Sequence, residues 1–141
     1  MNLMAKKKLK GKRKYFAKSV KALNPRKRIT FYLTELDSIT QVWEVDKNNA
    51  CIKVITVTYH LEYKGKGYDV VRFDTEHGYL DCHHRVSIQE NIDVRAPQDW
   101  IIEKGTPQDW MNWARKMIQR KFMYYRKGFL KRSGIKGYYG L

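Results

Sequence analysis

The stretch CIKVITVTYHLEY, residues 51–63, decides the fold of this chain. It places β-branched and aromatic residues in close succession without a proline or a glycine, which is typical of a β-strand. Similar segments precede it at ITFYLT (29–34) and TQVWEV (40–45), and others follow it at YDVVRF (68–73) and YLDCHHRVSI (79–88). Because short polar segments separate them, the pattern predicts about five antiparallel strands joined as a meander.

Turn-forming residues mark the connections between these segments. Asp46-Lys47-Asn48-Asn49 is expected to form one turn and Lys64-Gly65-Lys66-Gly67 another, because Asn, Asp and Gly tolerate the backbone conformations that turns require. His77-Gly78 is expected to form a two-residue hairpin turn, with glycine supplying a positive φ. This last turn sets the register of the two strands beside it, and so decides which side chains share a face.

A helix is predicted to begin at Pro107. Thr106 is a candidate N-cap, Pro107 suits the first helical position, and Asp109 at the third position can complete a capping box. Gly128 is expected to end the helix after Lys127. The predicted fold class is therefore α+β, with one C-terminal amphipathic helix packed on the antiparallel sheet.

Helical periodicity separates the residues of this helix into two sides. The side expected to pack on the sheet comprises Trp110, Trp113, Ala114, Met117 and Tyr124, with Ile118 and Tyr125 beside it. The opposite side comprises Arg115, Lys116, Arg120, Arg126 and Lys127. This second side is expected to face solvent or phosphate.

The charge of the chain is divided unevenly along its length. Residues 1–28 carry twelve Lys and Arg and no acid, residues 29–106 carry eight against thirteen acids, and residues 107–141 carry nine against one. The segments thus contribute +12, −5 and +8 to the net charge of +15. We predict a basic extension (1–28), an α+β domain (29–127) and a basic tail rich in glycine and aromatic residues (128–141).

Two basic ends around an acidic core are typical of a protein that binds a polyanion, since each neutralised phosphate releases counterions. Aromatic residues lie among these charges and unpaired bases stack on such rings, so RNA is the expected partner and a ribonucleoprotein such as the ribosome the expected setting. Architectural DNA binding, a solvated charged surface and attachment to a membrane surface are alternatives. The candidate nucleic-acid-binding residues are Lys6, Lys7, Lys8, Lys10, Lys12, Arg13, Lys14, Arg26, Lys27, Arg28, Arg115, Lys116, Arg120, Arg126, Lys127, Lys131 and Arg132.

A second candidate site lies in the segment RFDTEHGYLDCHHR, residues 72–85. If the hairpin turn forms as predicted, Arg72 pairs with His83 and Asp74 with Asp81, and all four side chains share one exposed polar face. An imidazole beside a guanidinium and a carboxylate is sufficient for metal-independent RNA cleavage. The alternative to RNA binding is therefore an endoribonuclease that uses His83, Arg72 and Asp74.

Two further alternatives explain these residues without catalysis. Cross-strand ion pairs commonly cover the wet face of a sheet. Zinc could bind among His77, Cys82, His83 and His84, but adjacent strand residues point in opposite directions and no second ligand pair has finger-like spacing. No metal and no cofactor are predicted.

The motif R-F-D-T-x-H-G at residues 72–78, followed by a histidine-bearing strand, resembles small uncharacterised prokaryotic domains and, more loosely, TumE-type toxins. In those toxins an R-Y/W-D-N-like strand precedes a histidine pair, and Thr75 stands here where that pattern has an amide. The resemblance covers about residues 55–125, a strand meander followed by an amphipathic helix. It implies a toxin-like endoribonuclease with a protein antagonist.

The remaining composition bears on location. No apolar run approaches the ~18–20 residues that cross a bilayer, and the N-terminus has no apolar signal-peptide region. Cys51 and Cys82 form no C-x-x-C pair, which favours a reducing compartment. The expected location is the cytoplasm, without a membrane partner.

Overall fold

The computed structural model describes residues 24–95 and 104–136. In these residues it contains one antiparallel sheet of six strands and one helix. The elements in chain order are β1 (Arg26–Tyr32), β2 (Asp37–Val45), β3 (Cys51–Tyr63), β4 (Lys66–Asp74), β5 (Asp81–Arg85), β6 (Asp93–Arg95) and α1 (Pro107–Arg132). The predicted α+β class, with one helix packed on an antiparallel sheet, is confirmed.

Each strand pairs with the next along the chain, so the sheet is the predicted meander. The prediction of about five strands missed β6, whose three residues are all exposed. Asp93-Val94-Arg95 has a single apolar position, which is too little for an alternating pattern. It forms a strand because β5 offers a ladder edge, on which Arg85 pairs with Asp93 and His83 with Arg95.

β1 begins before the predicted boundary of the folded domain. Arg26, Lys27 and Arg28, assigned from the sequence to the basic extension, are strand residues that pair with residues 42–44 of β2. The ladder is made by backbone hydrogen bonds, and an edge strand accepts a run of cations because its side chains reach solvent. The domain therefore starts at residue 26 or earlier rather than at residue 29.

The first two turns lie where the sequence predicts them. The Asp46 carboxylate accepts hydrogen bonds from the N–H groups of Asn48 and Ala50 at 2.8 and 3.0 Å. Lys64 and Gly65, with φ of 50° and 76°, form the turn between β3 and β4. That turn is two residues long rather than four, because Lys66 is already paired with Tyr63 in the ladder.

The connection between β4 and β5 spans residues 75–80 and is longer than the predicted two-residue turn. The N–H of Gly78 donates to the Thr75 carbonyl at 3.0 Å, and Gly78 has a φ of 85°. The Thr75 hydroxyl donates to the Val54 carbonyl of β3 at 2.7 Å, which holds the connection against β3. The predicted register of β4 and β5 nevertheless forms.

A continuous row of paired residues crosses the sheet from β1 to β6. Residues opposite one another in a ladder share a face, so the row marks one face of the sheet. We call it the outer face, because α1 packs on the other one. The row consists of Thr30, Thr40, Thr58, Arg72, His83 and Arg95.

The core lies between α1 and the inner face of the sheet. Tyr59, Phe73 and Phe129 are among its largest fully buried side chains. Phe73 meets Trp113 edge-on with 5.8 Å between ring centroids, and Phe129 packs on Tyr68 at 5.7 Å. These contacts fix both halves of α1 against β4.

The N-terminus of α1 is formed as predicted. The N–H of Asp109 donates to the Thr106 hydroxyl oxygen at 3.2 Å, and the N–H of Thr106 donates to the Asp109 carboxylate at 3.1 Å. The two bonds complete a capping box. Pro107 occupies the first turn, where its missing N–H has no partner to lose.

The C-terminus of α1 lies further along the chain than predicted. Gly128 does not end the helix, which continues to Arg132, because an internal glycine costs only about 1 kcal/mol relative to alanine. Gly134 ends it instead, with a φ of 78°, and the N–H of Ile135 donates to the Leu130 carbonyl at 3.0 Å. The first part of the predicted basic tail is therefore helical.

A buried ion pair changes which side of α1 faces the sheet. Periodicity places Arg126 on the solvent side, but its side chain is 3% exposed and its Nε donates to Asp37 Oδ1 at 3.2 Å. The Tyr59 hydroxyl donates to the same carboxylate. Tyr124, expected to pack, is 72% exposed. The prediction was wrong at both positions because helical periodicity carries no information about a charged partner on β2.

Candidate functional site

Helix α1 presents a row of cations to solvent. Lys116, Arg120, Lys127 and Lys131 are exposed, and intervals of four, seven and four residues place them along one side of the helix. No Asp or Glu follows Asp109 in the chain. This cationic face extends over about 22 Å at ~1.5 Å per residue, and its single sign of charge suits a phosphate backbone.

A recess of about 380 Å³ opens beside the cationic face, near the end of β5. We call it the basic recess. Three of its lining residues are cations and none is an acid. It is lined by His84, Tyr124, Tyr125, Lys127, Gly128, Lys131 and Arg132.

Aromatic rings form one wall of the basic recess. The exposed Tyr124 ring lies 6.1 Å from the buried Tyr125 ring, and His84 meets Tyr125 edge-on at 5.5 Å. Burial lowers the pKa of His84, and the nearby Arg132 and His83 lower it further, so the imidazole is neutral at pH 7. Arg132 is held in place because its Nε donates to the Val86 carbonyl at 2.7 Å. The recess thus combines a fixed cation with an open aromatic surface.

None of the other predicted nucleic-acid-binding residues that the structure describes lines this recess. Residues 6–14 are outside the described part of the chain. Arg26, Lys27 and Arg28 are exposed on β1. Arg115 is half-buried over the Phe31 ring, at 5.6 Å from its centroid, and Arg126 is buried. Arg126 therefore cannot contact phosphate in this fold.

Four polar side chains meet on the outer face, and we call them the polar cluster: Arg72, Asp74, Asp81 and His83. Arg72 Nε donates to Asp74 Oδ2 at 3.3 Å. His83 Nε2 lies 3.3 Å from Asp81 Oδ1 and 3.8 Å from Asp74 Oδ2. Arg72 is opposite His83 and Asp74 is opposite Asp81 in the ladder. The predicted register and the shared face are confirmed.

The predicted exposure of the polar cluster is wrong for its carboxylates. Asp74 is 5% exposed and Asp81 is 1% exposed, whereas the side chains of His83 and Arg72 are 19% and 38% exposed. Arg95 of β6 lies beside Asp81, with Nη2 3.7 Å from Oδ2. β6, which the sequence did not predict, thus covers part of the Asp81 carboxylate.

Asp81 is the member of the polar cluster whose carboxylate makes no hydrogen bond within the described residues. Neither of its carboxylate oxygens accepts a hydrogen bond from the described residues. The nearby Arg95 Nη2 donates instead to the Tyr79 hydroxyl at 2.7 Å. Burial raises the pKa of Asp81, and the neighbouring Asp74 carboxylate raises it further.

Two open cavities border the polar cluster on the outer face. Arg72 and Asp74 line one of about 290 Å³, together with Arg26 and Lys53. Arg72 and His83 line another of about 380 Å³. A ligand on the outer face can therefore reach Asp74 from one cavity and His83 from the other, and Arg72 borders both.

β6 supplies residues to this site that the sequence reasoning did not identify. Arg72 Nη1 donates to the Asp93 carboxylate at 3.2 Å, which holds the guanidinium over the outer face. The only sequence signal for this contact is the alternation of charged residues in Asp93-Val94-Arg95, which is too short to stand out. Two of the four residues considered for zinc binding, Cys82 and His84, lie on the inner face, where they pair with Phe73 and Val71. They therefore cannot share a metal site with His83 on the outer face.

Comparison with known proteins finds a family match. Residues 14–135 fit the family model of a domain of unknown function, DUF7718. The chain belongs to the DUF7718 family. The DUF7718 match spans every strand and the helix described above, so this sheet and helix form the body of the DUF7718 domain.

The DUF7718 match carries no activity with it. No curated protein and no solved structure matches the chain. Nothing links it to the TumE-type toxins that its motif resembles, so the resemblance gives no support to a ribonuclease. In the described residues, no helix is both long and apolar enough to cross a membrane.

Proposed function

We propose that this protein binds RNA through the cationic face and the basic recess of α1. The observation that carries the proposal is the recess, where Lys127, Lys131 and Arg132 surround the exposed Tyr124 ring without an acid among the lining residues. Cations alone would suit any polyanion. A cationic rim around an exposed ring suits a nucleotide, which presents a phosphate and a base together.

Single-stranded or looped RNA fits this surface better than a smooth duplex. A base must leave its stack before it can lie on an aromatic ring, and unpaired RNA offers such bases without the cost of opening a helix. The basic residues 6–14 add phosphate contacts in this proposal, and Arg26, Lys27 and Arg28 continue them onto β1. The partner particle is a ribonucleoprotein such as the ribosome, in the cytoplasm, where the free cysteines Cys51 and Cys82 stay reduced.

The test is a binding titration of the full chain with a labelled single-stranded RNA, a duplex RNA and a DNA of equal length. The variant Lys127→Gln/Lys131→Gln is expected to weaken RNA binding about tenfold, because two phosphate contacts are lost. Lys47→Gln/Lys64→Gln is the matched control, since it removes two exposed charges from turns on the sheet. Equal losses in both variants would show that only the total charge matters, and the proposal would fail.

A truncated chain can test how much the N-terminal basic residues contribute to RNA binding, and the bounds of β1 show where to truncate it. A chain beginning at residue 24 keeps β1 intact, whereas removal of residues 1–28 would delete part of that strand. We expect the shorter chain to fold, as checked by circular dichroism, and to bind RNA more weakly with a smaller salt dependence. Architectural DNA binding is the competing proposal, and it would be favoured if the DNA of equal length displaced RNA at equimolar concentration.

A second candidate function is metal-independent cleavage of RNA at the polar cluster. The observation in its favour is that Arg72 and His83 border the same cavity, while Arg26 and Lys53 border the adjoining one. In this scheme His83 transfers the proton, Arg72 stabilises the phosphorane charge and Asp74 orients Arg72. Such an enzyme would have a protein antagonist in the cell.

Substitution separates this candidate from simple binding. His83→Ala leaves RNA affinity nearly unchanged under both proposals, but abolishes cleavage under the second alone. The assay uses structured and unstructured RNA with chelator present. An RNA that stays intact with the wild-type protein rejects the metal-independent enzyme.

A further inference from the structure

Asp81 is the feature of the outer face that the proposed function leaves unexplained. It is 1% exposed, and neither carboxylate oxygen accepts a hydrogen bond from the described residues. A buried carboxylate is unfavourable unless donors or an opposite charge accompany it. Arg95 approaches to 3.7 Å but directs its hydrogen bond to Tyr79. Arg95 and His83 thus lie near Asp81, but no donor in the described residues fills the lone pairs of its two oxygens.

Two neighbours of Asp81 carry atoms suited to a metal ion. One ligand atom each from Asp74, Asp81 and His83 lies within 4.8 Å of the other two. His83 Nε2 is 3.3 Å from Asp81 Oδ1 and 3.8 Å from Asp74 Oδ2. In a tetrahedral site with bonds of ~2.1 Å, adjacent ligands are about 3.4 Å apart. Small side-chain adjustments therefore bring the three atoms around one ion.

We propose that Asp74, Asp81 and His83 bind one divalent transition-metal cation. Two carboxylates balance the charge of the ion, and the ion supplies the direct contact that the Asp81 oxygens lack. One imidazole with two carboxylates suits Mn²⁺ or Zn²⁺, whereas Mg²⁺ favours oxygen ligands and keeps most of its water. The remaining coordination positions face the cavities lined by Asp74 and His83.

The polar cluster also contains a positively charged side chain, Arg72, near the proposed ion. Arg72 Nε donates to Asp74 Oδ2, and Arg72 Nη1 donates to Asp93. Asp93 therefore offsets the charge of Arg72, which leaves Asp74 and Asp81 to balance the metal. An anion that reached the open positions of the metal would also meet Arg72.

This site does not depend on RNA binding at the cationic face and the basic recess, which lie on α1 across the sheet from the polar cluster. While the ion is bound it prevents metal-independent cleavage through His83 Nε2, because a nitrogen that holds a metal cannot also accept a proton. The metal-binding assay and the chelator-treated RNA assay therefore give distinguishable outcomes.

The experiment uses the untagged full chain, treated with a chelator and dialysed. Mn²⁺ binding is followed by the loss of the free-ion signal in electron paramagnetic resonance, and Zn²⁺ binding by competition with a chromogenic chelator. We expect one saturable site per chain in at least one of these two arms. Mg²⁺ at the same concentration should leave the bound ion in place.

Three variants decide whether the ion lies where we place it. Asp81→Asn and His83→Gln should each weaken binding at least tenfold. The control is His60→Gln, since His60 is also a histidine of the outer face and lies beside a single carboxylate, with Nδ1 3.0 Å from Asp69 Oδ1. It should bind like the wild type.

Two results would overturn the proposal. One is the absence of saturable Mn²⁺ or Zn²⁺ binding by the wild-type protein, which would leave a proton shared between Asp74 and Asp81 as the neutralising group. The other is affinity within about twofold of wild type in His83→Gln or in Asp81→Asn. Circular dichroism confirms the fold of each variant, and each of the two ligand variants tests the site by itself if the other fails to fold.

Discussion

His83 and His84 are adjacent in the chain, yet their imidazole rings lie on opposite faces of the sheet. His83 Nε2 lies 3.3 Å from Asp81 in the polar cluster, whereas the His84 ring meets Tyr125 edge-on beneath α1. This alternation follows from the pleat of β5. One dipeptide thus contributes to both candidate sites, and single substitutions can separate the two.

The stability of the protein should depend on pH through His84. Burial lowers the pKa of His84 from the ordinary value of 6.5, and Arg132 and His83 lower it further. Below that pH the unfolded chain therefore binds a proton at His84 more readily than the folded chain does. The free energy of unfolding should therefore fall as the pH drops below about 6.5. His84→Phe keeps a ring against Tyr125 and should flatten this dependence, as measured by urea unfolding at several pH values. His60→Gln is the control, and an equal flattening there would contradict the assignment.

Asp81→Asn should stabilise the metal-free protein at pH 7. Burial and the Asp74 carboxylate raise the pKa of Asp81, so its charged form opposes folding, and an amide in its place can donate to Asp74. We therefore expect the free energy of unfolding to increase. The gain should shrink as the pH falls through the raised pKa, because the wild-type carboxyl is then neutral too. The more exposed Asp93→Asn should give no gain, and a clear loss in Asp81→Asn would refute the prediction.

Loss of one partner of the Asp37–Arg126 pair should destabilise the fold strongly. Arg126→Met leaves the Asp37 carboxylate buried without its counter-charge, which costs about 3–5 kcal/mol. The double variant Asp37→Leu/Arg126→Met should recover much of this loss, since both charges are gone. A double-mutant cycle by urea unfolding measures the coupling. Additive single effects would mean that the two side chains do not depend on each other.

The same substitution should have opposite effects at two glycines of the helix end. Gly134 has a φ of 78°, so Gly134→Ala is expected to cost about 1 kcal/mol of stability. Gly128 is helical, and a β-carbon there would lie 2.9 Å from Arg132 Nη1, which must shift slightly while Nε keeps its bond to Val86. Gly128→Ala should therefore gain about 0.5–1 kcal/mol. Thermal unfolding of both variants checks the pair, and a loss at Gly128 would show that Arg132 cannot move.

Salt dependence should distinguish the two parts of the proposed RNA surface. Lys127→Gln/Lys131→Gln removes two phosphate contacts and should reduce the slope of log K against log salt by about 1.4 for a single strand. Tyr124→Ala removes a stacking surface and should weaken binding by about 1–3 kcal/mol with the slope unchanged. Titrations at four salt concentrations measure both quantities. A changed slope in Tyr124→Ala would indicate that the tyrosine acts by positioning cations.

Most of the fold follows from local patterns in the sequence. The long run of residues 51–63 and the paired runs around it indicate strands by composition alone, and Thr106, Pro107 and Asp109 mark the helix start because a capping box is a local device. The register of β4 and β5 was also predictable. The predicted pairs Arg72–His83 and Asp74–Asp81 are centred on the same point of the chain whether the turn is two or six residues long. The longer connection only removes pairs next to the turn.

The parts that were not predictable depend on contacts between distant residues. Arg126 is buried because Asp37, 89 residues earlier in the chain, accepts its hydrogen bonds. Asp81 is buried because the connection carrying Tyr79 and the short strand β6 lie beside it, and neither has a pattern of its own. The sequence therefore indicated which polar residues meet, but not how deeply they are buried.

The position of Arg26, Lys27 and Arg28 on β1 has a consequence for self-association. Within residues 24–95 and 104–136, β1 pairs only with β2, so among these residues its other edge has no partner strand. A second copy that added its own β1 there in parallel register would bring two rows of three positive charges within about 5 Å of each other. The repulsion between these rows opposes parallel, in-register stacking of two copies at this edge.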